Sequence, residues 1–112
     1  MDNSTEVREY LDAKGNSPYA KWFGRLNVPA AIKVATAIHR VAQGNCSNVK
    51  GVGAGVYEYR IDFGPGYRIY FGRDGDRLVI LLAGGTKKRQ HVDITTAKTR
   101  WRDYKRRRRQ GV

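Results

Sequence analysis

A chain of 112 residues with 22 Lys and Arg against 10 Asp and Glu, net charge +12, has room for one domain around one modest core. A single cysteine, Cys46, excludes an internal disulfide, and the polar N-terminal residues lead to the expectation of no secretory leader; the longest apolar run, Leu78 to Ala83, is too short to cross a bilayer. The expectation is one domain over residues 1–112 in the reducing cytoplasm, off the membrane, with nucleic acid as its first candidate partner, because so large a positive charge repels itself in a compact chain.

Thr5 to Leu11 reads as a strand from Thr5, Val7 and Tyr10, and Gly15-Asn16 breaks it. Ser17 before Pro18 is a helix start, and Tyr19, Trp22, Phe23 and Leu26 then recur at helical spacing. Asn27 and Pro29 open a second helix with the stripe Ile32, Ala35, Ile38, Val41 and Ala42, ended by Gly44-Asn45. The short loop between the two predicts an antiparallel helical hairpin.

From Ala54 the period changes to alternation. Val56 to Phe63, Tyr67 to Gly72 and Arg77 to Ala83 read as three strands of a meander, with turns at Gly64-Pro65-Gly66 and Asp74-Gly75-Asp76. The continuous apolar run of the third predicts burial on both faces. On the first of these strands, Tyr57, Tyr59 and Ile61 fall on one side, expected to be core. Glu58, Arg60 and Asp62 fall on the other, expected to be exposed. After Gly84-Gly85, Ile94, Ala97, Trp101 and Tyr104 mark a C-terminal helix. The order predicts an α+β fold: an N-terminal strand, a helical hairpin on one face of an antiparallel three- to four-stranded sheet, and a C-terminal helix.

Eleven of the 22 basic residues lie between Lys87 and Arg109, opposed there only by Asp93 and Asp103. Residues 106–112, RRRRQGV, read as a frayed basic tail, since four adjacent arginines repel one another.

Two blocks carry a family resemblance. One is Val49-Lys50-Gly51-Val52-Gly53 followed by Val56-Tyr57-Glu58-Tyr59-Arg60-Ile61-Asp62-Phe63-Gly64-Pro65-Gly66-Tyr67-Arg68-Ile69-Tyr70-Phe71. The other is Leu81-Leu82-Ala83-Gly84-Gly85-Thr86-Lys87-Lys88-Arg89-Gln90, then Asp93-Ile94 and Ala97. From about Trp22 to Tyr104 the chain resembles the RelE/ParE toxin superfamily, and within it the HigB-like addiction module killer proteins. The resemblance implies the toxin of a type II toxin–antitoxin pair. Its partner would be a cognate antitoxin, often of helix-turn-helix type, and its target mRNA cut within a translating ribosome. The ParE branch instead inhibits gyrase, and a non-catalytic nucleic-acid-binding module is a third reading.

RNA cleavage without a metal needs a base for the 2′-hydroxyl, cations for the charge developing on phosphate, and an acid for the 5′-oxygen. Arg60 and Arg68 flank the Gly64-Pro65-Gly66 turn, close enough in a tight hairpin to grip one phosphate. The alternative for each is an ordinary salt bridge, for instance to Glu58 or Asp62. The resemblance places Arg60, Arg68 and Lys87 where RelE-type nucleases carry phosphate-binding cations. Acid–base candidates are His91, which follows the basic run Lys87-Lys88-Arg89, Asp93, Tyr67 and Tyr70. Asp93 has a competing reading as a helix cap. The expected catalytic set is Arg68, His91, Asp93 and Lys87; the expected RNA-binding set is Arg60, Lys88, Arg89, Tyr67 and Tyr70, the tyrosines by stacking on bases. Two histidines and one cysteine without ligand spacing predict no metal, and no cofactor is expected. The chain departs from the RelE pattern at Glu58, where that pattern has lysine, and near Asp93, where it has tyrosine.

Overall fold

The computed structural model describes residues 5–110. In chain order it contains β1 (Glu6–Glu9), α1 (Pro18–Phe23), α2 (Val28–Ala42), β2 (Val49–Gly53), β3 (Val56–Ile61), β4 (Tyr67–Arg73), β5 (Leu78–Thr86), a 3-10 turn (Lys87–Arg89) and α3 (Gln90–Arg109). Both early helices start where the sequence marks them. The Ser17 hydroxyl accepts the Ala20 N–H at 3.0 Å, and the Asn27 side-chain oxygen accepts that of Ala30 at 2.9 Å. Each thus satisfies an amide left free at a helix start, worth about 1 kcal/mol.

The sheet has five strands in the order β1-β5-β4-β3-β2. β2 to β5 form an antiparallel meander, while β1 pairs parallel with β5, Glu6 opposite Leu78 and Glu9 opposite Leu81. The sheet is therefore mixed, not antiparallel, and larger than expected by the edge strand β2. Its sequence, VKGVG, holds two glycines and a lysine, a composition that hides a strand. The pairing of β1 with β5 joins residues some seventy positions apart and has no local signature.

Helices cover both faces. On one face Tyr19, Val34, Ala37 and Val41 of α1 and α2 pack against Tyr59, Ile61, Ile69, Phe71, Val79 and Leu81. On the other, Ala97 and Trp101 of α3 pack against Val56, Tyr70, Ile80 and Leu82. The hairpin therefore covers one face, as expected, and α3 closes the second. β5 is buried on both sides, which is why its sequence is a continuous apolar run. Trp101 is 4% exposed, and its truncation to Ala would cost about 3–5 kcal/mol.

The C-terminal arginines are helical rather than frayed as far as Arg109. Asp103 accepts hydrogen bonds from Arg106 and Arg107, Arg107 also reaches the Leu11 carbonyl, and Arg108 pairs with Asp74 at 2.8 Å. Two carboxylates thus relieve the repulsion that predicted fraying, and cations complement the negative end of the helix dipole. The rest of the predicted tail, residues 111–112, lies outside the described residues. Among the described residues no helix is long and apolar enough to cross a membrane.

Between β1, α1 and α2 runs an open apolar groove of about 710 Å³, lined by Val7, Leu11, Tyr19, Phe23, Ala35 and Ile38 among others. β1 is an edge strand, so one side of its backbone is unpaired within the sheet.

Candidate functional site

Strand register builds the site. Arg60 lies opposite Arg68 across β3 and β4, and Arg68 lies opposite Gly85 across β4 and β5. One step along, Lys50, Glu58, Tyr70 and Ala83 form a second cross-strand row. Side chains directly opposite share a face. Both rows lie on the face that α3 covers, and its first turn descends onto them.

Gly85 permits that approach. A Cβ there would stand 1.8 Å from Asp93 Oδ2, so the Asp93 carboxylate occupies the space a side chain would need. Asp93 is consequently buried at 9% exposure and does not cap the helix; α3 has no side-chain cap. Burial pushes the Asp93 carboxyl up from its ordinary range, against the pull of Arg89 and Arg100.

Glu58, expected on an exposed face, is completely buried. Gln90 Nε2 donates to its Oε2 at 2.8 Å, while Lys50 Nζ lies 3.7 Å from Oε1 and Arg68 Nε 3.9 Å from Oε2. Arg68, 5% exposed, also donates from Nη1 to the Gly66 carbonyl at 3.3 Å. The salt-bridge alternative thus holds for Arg68 and Glu58, while Arg60 is exposed and in no ion pair among the described residues. Five buried side-chain polar atoms lack a hydrogen-bond partner among the described residues, and four belong here: Glu58 Oε1, Arg68 Nε, Tyr70 OH and Asp93 Oδ2. Such atoms are costly, and their concentration in one place makes this cluster the candidate site.

Tyr70 is fully buried, so its ring has no face to offer a base. Its hydroxyl is held protonated by burial and by the Glu58 carboxylate, which raise it well above the tyrosine range. Tyr67 points to the opposite face, where it meets Trp22 edge-on with ring centres 6.4 Å apart. Neither tyrosine is available for the stacking expected of it. The alternation of strand side chains puts Tyr67 and Arg68 on opposite faces, and α3 covers Tyr70.

The backbone of Lys87 lies beside Arg68. Its N–H donates to the Gly66 carbonyl at 2.8 Å, and a Cβ on Gly66 would lie 3.3 Å from Arg68 Nη1 and 3.4 Å from Lys87 Cβ. The Gly64-Pro65-Gly66 turn, with Gly66 at φ +78, therefore brings the Arg68 guanidinium and the backbone of Lys87 to the same glycine, while the Lys87 side chain is exposed. Lys88 and Arg89 are exposed on the 3-10 turn, with Arg89 Nε 3.9 Å from Asp93 Oδ1. His91 is exposed in the first turn of α3 and makes no side-chain hydrogen bond among the described residues. Arg60 faces a polar hollow of about 300 Å³ shared with Ser47, Asn48, Lys50 and Asp62. No group of three or more His, Cys, Asp or Glu among the described residues could hold a metal ion.

The pattern is a small α+β domain whose sheet sets Arg68 and Lys50 around the buried Glu58 carboxylate. Residues 21–102 match the family described as Phage derived protein Gp49-like (DUF891), and the chain belongs to it. That family is part of the RelE/HigB-type toxin superfamily and is a family of toxin–antitoxin toxins, which implies an antitoxin partner. The chain is also 39% identical over 89 residues to an uncharacterized protein of Haemophilus influenzae, covering 79% of this chain and 90% of that one.

Sequence reasoning gave Gln90 and Lys50 no role in the site and offered Glu58 only as an exposed salt-bridge partner. The strand alternation already put Glu58 on the face of Arg60. What it lacked was the helix lying over that face.

Proposed function

We propose that this toxin is a metal-independent endoribonuclease that cuts mRNA on the ribosome. The observation that supports the reading is the placing of Arg68 opposite Arg60 across β3 and β4, with the Lys87 backbone held to the same Gly66 carbonyl that Arg68 reaches, so that three basic residues border one turn, a set suited to one phosphate. Arg68 takes the scissile phosphate, oriented from behind by the Glu58 carboxylate and, through it, by Gln90. Arg60, Lys88 and Arg89 hold the flanking backbone. A base removes the 2′-hydroxyl proton, the 2′-oxygen bonds to phosphorus, the bond to the 5′-oxygen breaks, and an acid protonates that oxygen. His91 at the exposed rim and Asp93 beneath it serve these transfers.

The antitoxin, of helix-turn-helix type, seats an apolar segment in the groove between β1, α1 and α2. Leu11, 48% exposed at the groove, gives that segment an anchor, and the net charge of +12 favours an acidic chain.

The experiment is induced expression with mapping of RNA ends. Growth arrest with new mRNA ends inside codons is expected, and Arg68→Ala should abolish both. Arrest without cleavage, with purified protein inert on mRNA with or without programmed ribosomes, overturns the nuclease. Inhibited DNA supercoiling in that case would identify a gyrase inhibitor, and a chain that binds RNA without arresting growth a non-catalytic module.

A further inference from the structure

α3 sorts its cations into two sets. Arg106, Arg107 and Arg108 are held by Asp103 and Asp74, and Arg100 donates to the Leu82 carbonyl at 2.8 Å. Lys98, Arg102, Lys105 and Arg109 are in no ion pair among the described residues. These four are not scattered. Their spacings of four, three and four residues place them on a single line along the helix, and the same line continues back through Thr95 to His91. Arg102, Lys105 and Arg109 are exposed; Lys98 rests against the β2–β3 turn, its Nζ 3.1 Å from where a Gly53 Cβ would be. Lys105 stands over the Trp101 ring at 5.7 Å, which gives its stem a fixed base.

Like charges three and four residues apart destabilise a helix by about 0.2–0.5 kcal/mol per pair. A helix that pairs three neighbouring arginines could have relieved this line in the same way, yet no acid lies on it. At 1.5 Å rise per residue, the cations from Lys98 to Arg109 span about 16 Å in steps of about 4.5 to 6 Å. That is the scale of successive phosphates on a single strand. The line carries no large apolar side chain to anchor a protein helix, so its binding energy would be almost wholly electrostatic.

We propose that Lys98, Arg102, Lys105 and Arg109 form a track for the RNA backbone, carrying the strand away from the Arg68 site along the outside of α3. The direction of the track rests on the nuclease reading; its affinity for RNA does not. It is distinct from the phosphate grip, because none of its members belongs to the Arg68 cluster.

The test is fluorescence anisotropy with a labelled 20-nucleotide 2′-O-methyl RNA, which binds but cannot be cut through a 2′-hydroxyl. Binding by the parent and by the triple variant Arg102→Gln, Lys105→Gln, Arg109→Gln is followed across a salt series. Each lost phosphate contact flattens the plot of log affinity against log salt by about 0.7, so the variant slope should fall by about 2. The control Arg106→Gln, whose cation is already paired, should leave the slope within about 0.3 of the parent's. Unchanged melting of the triple variant is checked first, and Lys105→Gln alone provides a milder version expected to flatten the slope by about 0.7. An unchanged slope and affinity in the triple variant overturns the track, as does a variant that loses only its affinity for a poly-glutamate peptide, which would make the line a protein contact. If the slope falls but the parent cuts no mRNA, the track stands and the nuclease reading falls.

Discussion

Gly85 and Asp93 occupy one volume, and neither is intelligible without the other. Gly85→Ala puts a methyl 1.8 Å from Asp93 Oδ2, so α3 must lift or the carboxylate must turn. Overpacking of this kind costs about 1–3 kcal/mol. In the Asp93→Ala background the same change should cost less by at least about 1 kcal/mol, a coupling that a double-mutant cycle in urea would measure. Additive costs would show that the contact carries no energy. Asp93 also has a pH signature. Its folded carboxyl holds its proton to higher pH than the unfolded chain, whose value is near 3.8. The folded state therefore binds more protons in that window, and stability falls as pH rises through it. Asp93→Asn removes this loss. At pH 7 its melting temperature should exceed the parent's, the gap closing below about pH 4, while the RNA cleavage proposed above drops. A variant less stable than the parent at pH 7 would mean that Arg89 and Arg100 outweigh burial. The sequence alone offered Asp93 as acid, base or cap. Only the glycine opposite explains why it is none of the ordinary surface cases.

At the scale of elements, α3 is fastened at both ends. Its first turn sits on Gly85, and its last turns are held through Asp103, which accepts from the Tyr10 hydroxyl at 2.7 Å and from Arg107 at 2.6 Å. The Tyr10 and Arg106 hydrogen bonds lead in holding the Asp103 carboxyl down to about 2, below its usual 3.8. A depressed folded pKa contributes stability that is complete above the unfolded value and lost as pH falls through the folded one. Asp103→Asn should therefore lower the melting temperature at pH 5 to 7, with the difference shrinking as pH falls from about 4 toward 2. A constant difference across that range would rule out the carboxylate as the fastener. Elements with local signals were legible: the Ser17-Pro18 and Asn27 starts, the buried run of β5, the stripe of α3. β2 was hidden by its glycines, and the parallel union of β1 with β5 depends on chain segments far apart. The exposed reading of Glu58 failed for the same reason. Periodicity tells which residues share a face, but which element covers that face is a tertiary fact.

For the molecule as a whole, the sheet separates two surfaces. The apolar groove opens on the side of α1 and α2, and Arg60, Arg68 and α3 occupy the other. An antitoxin segment in the groove would then leave the cationic face free, so neutralisation would act through the strand edge and the hairpin rather than by covering Arg68. Ala35 discriminates, since it lines the groove yet is exposed and lies outside the core. Ala35→Arg places a long charged chain in the groove at an exposed helical position where arginine is well tolerated, so stability should change by less than about 0.5 kcal/mol. Toxicity should persist in full. Rescue by the co-expressed antitoxin should fail, with affinity measured by calorimetry at least tenfold weaker, about 1.4 kcal/mol. Arg102→Gln, on the far face, should leave that affinity unchanged. If Ala35→Arg binds antitoxin as tightly as the parent while Arg102→Gln does not, the two faces exchange roles: the antitoxin then covers α3, and the positive charge serves the protein partner before any nucleic acid.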